Sequence, residues 1–507
     1  MLQKFFKDIF LTASAFTASS LAGFVLVPFF IHAYGVSGLG LIVLSRLFLP
    51  SGIIGLLDFG ISEISTIIIA SARGNDRWDE AKSRLISLLR LTVIVGIFAA
   101  VIVYLLINKL TIWLQIPRDA IESFSFIIFI SSISLPFLIV GLFFEGITKG
   151  FENFFALRVS EIISTLLYVL LSLTSIYLNK SFIWPVMAFL LAQYLKFFTL
   201  GVLYIRFLFS AVRVNLKVSK ASNQYVFKRA HLLLTSRILS TGQHQIPSLL
   251  VGALIGPVGV GLFDLISRIP RFCKGVFALI GSSVLVPVAS RLSASGDRSR
   301  LRQAGYIILS IVPAFIFPPL AALGVFSGDV LYFWLGNQSL IQNACWLTLY
   351  LLIPALNTVV SLQNSTLMNR SDYLRRNNRI SAFQLLIQII ISLICIHWFS
   401  QNSFIIGQIA ASMFAIFWQL KLANKYIKVP HNLRNNFFCY LSLTIIIVSL
   451  MFGLLSKPVF DSILGLLVAL ICLTSFLWIL TYHFFLDAEA KFFFIRIVGA
   501  LRKVVYK

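Results

Sequence analysis

The stretch 34-YGVSGLGLIVLSR-46 has a partner later in the chain, 255-IGPVGVGLFDLISR-268, and the pair decides how the rest is read. Gly35, Gly38, Gly40 and Leu41 recur as Gly256, Gly259, Gly261 and Leu262 at a constant offset of 221 residues. Each copy is a glycine-rich turn that feeds an apolar run carrying an arginine, Arg46 in one and Arg268 in the other. At nearly the same offset, 70-ASARGNDR-77 is echoed by 289-ASRLSASGDR-298, and 147-ITKGFENFFALR-158 falls opposite 366-TLMNRSDYLRRN-377. One glycine-rich turn is weak evidence, because small residues merely let membrane helices approach. Its recurrence with a matching charged end points to an internal repeat.

Composition gives the solvent. Of 507 residues, 59% are apolar and 12% charged, and apolar runs long enough to cross a bilayer recur from end to end. The mean hydropathy is +0.93. No soluble core has this composition, so the fold class is all-α, a polytopic membrane protein. A net charge of +24 would suggest a nucleic-acid partner in a soluble protein, but here the charges fall in short segments between apolar runs. Topology explains them, and no nucleic acid is expected. Cys273, Cys345, Cys395, Cys439 and Cys472 are scattered singly, which gives neither a disulfide framework nor a metal site. No cofactor is expected. Lys4 and Lys7 precede an apolar run too long for a signal-peptide core, which reads as a retained first span.

Splitting the apolar runs at Gly, Pro and charge clusters places spans near 9–33, 40–72, 85–107, 123–146, 157–178, 184–209, 230–255, 259–290, 305–327, 343–368, 379–399, 404–428, 436–456 and 462–484. That is about fourteen: a lobe of six (1–209), a linker (210–229), a second lobe of six (230–428), two added spans (429–484) and a basic tail (485–507). Six spans per unit is an even number, so the copies share one orientation. With the N-terminus inside, the inner segments hold 31 of the 42 lysines and arginines, against four outside (Lys109, Arg118, Lys180, Lys457). Both termini are therefore expected in the cytoplasm. The tail from Ala490 sets Phe494, Ile497, Val498, Leu501 and Val505 on one stripe, with Arg496, Lys503 and Lys507 opposite. It reads as an amphipathic helix on the inner leaflet, or else as a solvated basic tail.

The order 27-VPFFIHAYG-35, GVSGLGL and 58-DFGISEISTIIIASARG-74 resembles the N-terminal signature of Wzx-type polysaccharide flippases, in the multidrug/oligosaccharidyl-lipid/polysaccharide exporter superfamily. The resemblance covers roughly residues 5–430. It implies two six-helix lobes facing a central cavity in the bacterial plasma (inner) membrane. It also implies translocation of an undecaprenyl-diphosphate-linked glycan, such as an O-antigen or other surface polysaccharide repeat unit, from inner to outer leaflet. Partners implied are that glycan, membrane lipids and polysaccharide polymerase machinery. Lipid II flippases of the superfamily carry cations in the first span; no arginine stands there in this chain, which argues against a peptidoglycan precursor.

Charges inside spans then carry the functional reading, because a cation at the bilayer centre costs about 2.5–3.5 kcal/mol even on the translocon scale. Six cations lie deep: Arg46, Lys196, Arg237, Arg268, Arg271 and Lys274. For Arg46, Arg237 and Lys196 the bland reading is snorkelling to an interface. Arg268 and Arg271 share a helical face by their i, i+3 spacing, and their bland reading is internal pairing with Asp264, as Asp58 and Glu63 might serve from span two. Against these three acids a surplus of cations remains. Guanidinium forks match phosphate oxygens, so the expected cavity is built for a diphosphate.

In span seven, Gln243, His244 and Gln245 of 242-GQHQIP-247 stand either as sugar contacts or as interhelical glue around Pro247. Asp58, Glu63 and His244 are the central groups that can couple transport to protons or sodium, or else serve as internal partners. A multidrug exporter of the same superfamily would want cavity carboxylates for its cationic drugs. A polymerase or glycosyltransferase needs an outer catalytic loop, and no expected outer loop exceeds about sixteen residues. The chain is read as a transporter and not an enzyme.

Overall fold

A computed structural model of the chain describes residues 2–49, 52, 60–75, 78–213, 235, 238–239, 241–280, 312–314, 316–336, 343–365, 367, 371–427, 459–484, 486 and 491. Among them there is no strand. The helices used below are α1 (Leu2–Leu47), α2 (Ile61–Asn75), α3 (Trp78–Trp113), α4 (Ile121–Gly150), α5 (Phe154–Tyr177), α6 (Ile183–Arg213), α7 (241–254) and α8 (Pro257–Ile280). They continue as α9 (Ser327–Leu335), α10 (Ala344–Ser365), α11 (Ser371–Phe399), α12 (Ser403–Ile427) and α13 (Ile463–Phe484). Seven helical segments among the described residues are long and apolar enough to cross a membrane, or eight when the pair Val312–Val325 and α9, bent by 69°, is taken as one. The span expected at 436–456, residues 214–229 of the expected linker 210–229, residues 289–298 and the tail from 492 lie outside the described residues, as do Asp58 and Arg237. Contacts divide the chain into two compact units, Met1–Asp264 and Leu265–Lys507.

In the first unit α5 shows how a membrane helix inverts the soluble pattern. Asn153 caps its start, the side-chain oxygen accepting from the Ala156 N–H at 3.3 Å. Its buried stripe is Leu157, Ser160, Ser164, Tyr168, Ser172 and Ser175, while Ile163, Leu166 and Leu170 are exposed. The hydroxyls of Ser160, Ser164 and Ser175 donate to carbonyls one turn back, so these small polar residues pack inside with their donors satisfied, while the Ser172 hydroxyl has no hydrogen-bond partner among the described residues. This stripe lets α5 pack against α1 and α6.

Two glycines of the recurring sequence adopt backbone angles that a side chain resists. Gly35 breaks α1 with φ 69°, and Gly256 separates α7 from α8 with φ 89°. Just beyond them the chain meets itself reciprocally. A β-carbon on Gly40 would sit 1.8 Å from the Pro257 carbonyl oxygen, and one on Gly261 would sit 2.3 Å from that of Val36. Val36 and Gly40 stand 221 residues before Pro257 and Gly261, so the two contacts are the same contact made twice. Overpacking that side chains can absorb costs about 1–3 kcal/mol, and here main chain is the obstacle on both sides. Gly40→Val should therefore eliminate most of the monodisperse protein on detergent size exclusion. A normal profile would refute the close approach.

In the second unit α10, α11 and α12 pack together, and α9 is joined to α10 by hydroxyls. Ser327 Oγ donates to the Ala344 carbonyl at 3.0 Å and Thr348 Oγ1 to that of Gly324 at 2.8 Å. The added helix α13 presents Leu464, Ile471, Phe476 and Ile479 outward. Its entry segment is tied to α9 by the buried Asp329, whose Oδ1 accepts the N–H groups of Val459 and Phe460 at 2.7 and 2.9 Å, with Phe326 against the Phe460 ring. Asp329→Ala leaves both N–H groups without this acceptor, a loss of about 1–3 kcal/mol. It should appear as a lower melting temperature in detergent, and Asp329→Asn, whose side chain keeps an acceptor oxygen, should recover part of it.

Candidate functional site: an arginine in an aromatic corner

Arg46 lies eleven residues beyond the Gly35 break, near the end of α1, where α5 and α6 close against that helix. Its guanidinium carbon is 4.8 Å from the ring centre of Tyr168 on α5 and 4.3 Å from that of Phe189 on α6. The two rings meet edge to face at 86°, so they form a corner around the cation. Ring faces attract a cation but offer its N–H groups no lone pair. Among the described residues Nε and Nη2 are buried and have no hydrogen-bond partner. Those two nitrogens form one edge of the guanidinium fork, with parallel donors spaced to grip two oxygens of one carboxylate or phosphate. This edge of the half-buried Arg46 is enclosed by protein. A buried donor left unmade costs about 1–3 kcal/mol, more for a charged group, so the edge favours an anion.

Lys196 has the opposite arrangement. Its Nζ lies 2.8 Å from Glu145 Oε2 on α4 and 3.4 Å from Glu161 Oε1 on α5. Lys149 reaches the other Glu145 oxygen at 2.7 Å, and Arg158 binds Glu161 at 2.6 Å. The helices come this close because α4 is glycine-rich on these faces: Gly141 lies under Phe197 of α6, and Gly146 lies against Ser62 and Ser65 of α2. Thr66 Oγ1 fixes the second contact, donating to the Gly146 carbonyl at 3.0 Å. In the sequence expectation Lys196 stands among cations opposed by three acids only, Asp58, Glu63 and Asp264. Glu145 and Glu161 were the missing acids, and both stand inside spans already delimited, 123–146 and 157–178. Lys196 thus stands in internal pairs with two carboxylates that the count of three acids leaves out.

The α8 cations are each half-buried and engaged by neighbouring groups. Arg271 folds back one turn, with Nε donating to the Ser267 carbonyl at 3.2 Å and Nη2 to the Ser267 hydroxyl at 2.6 Å. Asp264 is buried and engaged, as is Glu63 on α2. On α7, Gln243, His244 and Gln245 are half-buried and likewise engaged. The described cations differ in their surroundings: Arg46 alone among those detailed here keeps a buried edge unclaimed by the described residues, a difference with no signal in the sequence pattern. Among the described residues no three His, Cys, Asp or Glu side chains gather to hold a metal ion.

An all-helical chain with these apolar spans has clear structural likenesses. It is similar to the lipid II flippase MurJ in an inward closed conformation, with a TM-score of 0.70 and 14% identity over 93% of this chain and 98% of that one. It is similar to an inward-facing multidrug resistance MATE family transporter of the MOP superfamily, at 0.65 and 16% over 80% and 95%. A third likeness is a MOP superfamily transporter from Pyrococcus furiosus described as having a binding pocket of reverse polarity that suggests a different function, at 0.61 and 15% over 82% and 96%. At these identities the likeness establishes the fold alone, the one these three proteins share. A search of curated protein sequences finds no match. The family follows from a separate comparison: residues 5–293 match the family model described as polysaccharide biosynthesis protein, and the chain belongs to that family.

Proposed function

We propose that the protein is a flippase that carries an undecaprenyl-diphosphate-linked oligosaccharide, such as an O-antigen or other surface polysaccharide repeat unit, from the inner to the outer leaflet of the bacterial plasma membrane. The observation that carries this reading is the unclaimed fork edge of Arg46 in its aromatic corner. A glycan diphosphate offers paired anionic oxygens to that edge, and the polyprenyl tail stays in lipid. Family membership supports a polysaccharide substrate, and the fold supports alternating access between two lobes of six spans. Arg268, Arg271 and Lys274 on α8, with Arg237, supply further positive charge along the head group's path, and Gln243, His244 and Gln245 supply hydrogen bonds to sugar hydroxyls. A cation exporter would need the reverse charge at Arg46.

The test is reconstitution into proteoliposomes loaded with a fluorescent undecaprenyl-diphosphate glycan in one leaflet, with a cationic dye as comparator. Glycan translocation without dye efflux supports the proposal. Dye efflux without glycan translocation refutes it.

A further inference from the structure

The exposed stripes of the α11–α12 hairpin change character at one level. Along α11 the exposed residues Phe383, Leu386, Ile390 and Ile394 follow helical spacing, and one turn before Phe383 the same stripe continues as Arg379, then Arg376 and Arg375. Along α12 the exposed Phe417 and Trp418 are followed on their stripe by Lys421 and Lys425. All five cations are exposed, against one exposed acid, Asp372, among the described residues of these two helix ends. Asp372 in turn accepts from the Tyr426 hydroxyl at 2.9 Å.

A buried seam of amides sets the register of the two helices. Gln388 Nε2 donates to Gln408 Oε1 at 2.9 Å, and Gln419 Nε2 to Asn377 Oδ1 at 3.3 Å. Lys421, two residues past Gln419, therefore stands level with Arg375, two residues before Asn377, and Phe417 stands level with Arg379. Lys421 Nζ lies 5.0 Å from the centre of the Trp418 ring, which meets Phe417 edge to face. Tryptophan with one side apolar and the other beside a cation is the residue of the membrane–water boundary. The cations thus begin where the apolar lipid-facing stripes end, at the level of lipid phosphates.

Topology alone does not account for them. At the offset of 221, Arg375, Arg376, Lys421 and Lys425 stand where the first copy has Phe154, Phe155, Leu200 and Tyr204. Arg379 matches Arg158, which binds Glu161 at 2.6 Å, and the place of that acid is taken by Ala382. Both copies are expected to turn these ends toward the cytoplasm, yet at these positions the second carries five cations and the first a single, paired one.

We propose that the inner end of the α11–α12 hairpin is a binding site for anionic phospholipid head groups of the inner leaflet. Arg375, Arg376 and Arg379 offer guanidinium forks to lipid phosphate within about 6 Å of helix length, Lys421 and Lys425 add charge from the facing helix, and the apolar stripes receive the acyl chains. A zwitterionic head group cancels its own phosphate charge and gains little there. The site shares no residue with the Arg46 corner.

The melting temperature of the detergent-purified protein, followed in mixed micelles of rising phosphatidylglycerol content with phosphatidylcholine as comparator, tests this. Phosphatidylglycerol should raise it and phosphatidylcholine should not. Arg375→Ala/Arg376→Ala/Arg379→Ala should need at least about tenfold more phosphatidylglycerol for half the effect, since each cation near an anionic surface strengthens binding several-fold. Lys109→Ala/Arg118→Ala/Lys180→Ala removes the same charge from exposed residues elsewhere and should keep the wild-type half-effect. Equal response of the wild type to both lipids, or an equal shift in both triple variants, would overturn the site. An effect reproduced by inorganic phosphate would assign the cations to a soluble anion and overturn the lipid as ligand.

Discussion

Arg46→Ala should lower the initial rate of glycan-diphosphate translocation in proteoliposomes by about a hundredfold while leaving the melting temperature equal or higher. Two charge-assisted hydrogen bonds from one fork edge are worth about 1.5–3 kcal/mol each, and every 1.4 kcal/mol is a factor of ten. The stability half of the expectation comes from the same geometry. In the resting protein the Arg46 edge is buried and unclaimed among the described residues, so deleting it removes a desolvation cost with only ring contacts to lose. Arg46→Lys separates charge from shape. It keeps the cation but presents a point charge with no fork, and should restore less than about a tenth of the lost rate. If Arg46→Ala flips at the wild-type rate, the diphosphate assignment fails. If Arg46→Ala melts well below wild type, Arg46 is a structural residue.

Lys196→Met should act in the reverse sense, with a large loss of stability. It leaves the half-buried Glu145 and Glu161 near each other with Lys149 and Arg158 as their remaining described partners, and breaking a buried pair from one side typically costs about 3–5 kcal/mol, less where the carboxylates are partly exposed as here. The double variant Lys196→Met/Glu145→Gln removes a charge from each side and should recover a good part of the lost melting temperature, because replacing a buried pair by groups of similar size is often close to neutral. Translocation by Lys196→Met should fall only as far as the folded fraction falls. A single variant as stable as wild type would show that the network is not structural. A loss of transport at full stability would return Lys196 to the substrate path.

These two cations show where sequence reading stops. Arg46 and Lys196 are both single charges in apolar runs, Arg46 nearer the outer end of its expected span and Lys196 near the middle of its own, and both read as candidates for the same cavity. What separates them is the company supplied by other helices: two aromatic rings for Arg46, two carboxylates for Lys196. Part of the second answer was legible, since Glu161 stands well inside the fifth expected span and Glu145 just inside the fourth. The rest was not, because pairing depends on which faces meet, and those faces are set by Gly141 and Gly146 at contacts between α4, α6 and α2. The amide seam between α11 and α12 was missed for a related reason. Gln384 and Gln388 stand four apart and Gln408 and Gln419 eleven apart, and each looks like an isolated polar residue in an apolar run until the hairpin closes and Gln388 Nε2 donates to Gln408 Oε1 at 2.9 Å.

By itself the sequence determined the solvent, the fold class and the place where the chain turns. Continuous apolar runs admit only helices, since every main-chain polar group must be satisfied within its own segment. Glycines 221 residues apart mark where two of those helices break, Gly35 and Gly256, because only glycine takes the left-handed angles found there at little cost. The tertiary structure decided which buried charges are paired with carboxylates and which keep an edge unclaimed among the described residues. Charge energy in a low-dielectric interior depends on partners a few ångströms away, and those partners come from other helices. The reciprocal contacts of Gly40 with Pro257 and of Gly261 with Val36, the Lys196 network and the unclaimed edge of Arg46 exist only once separate helices have met.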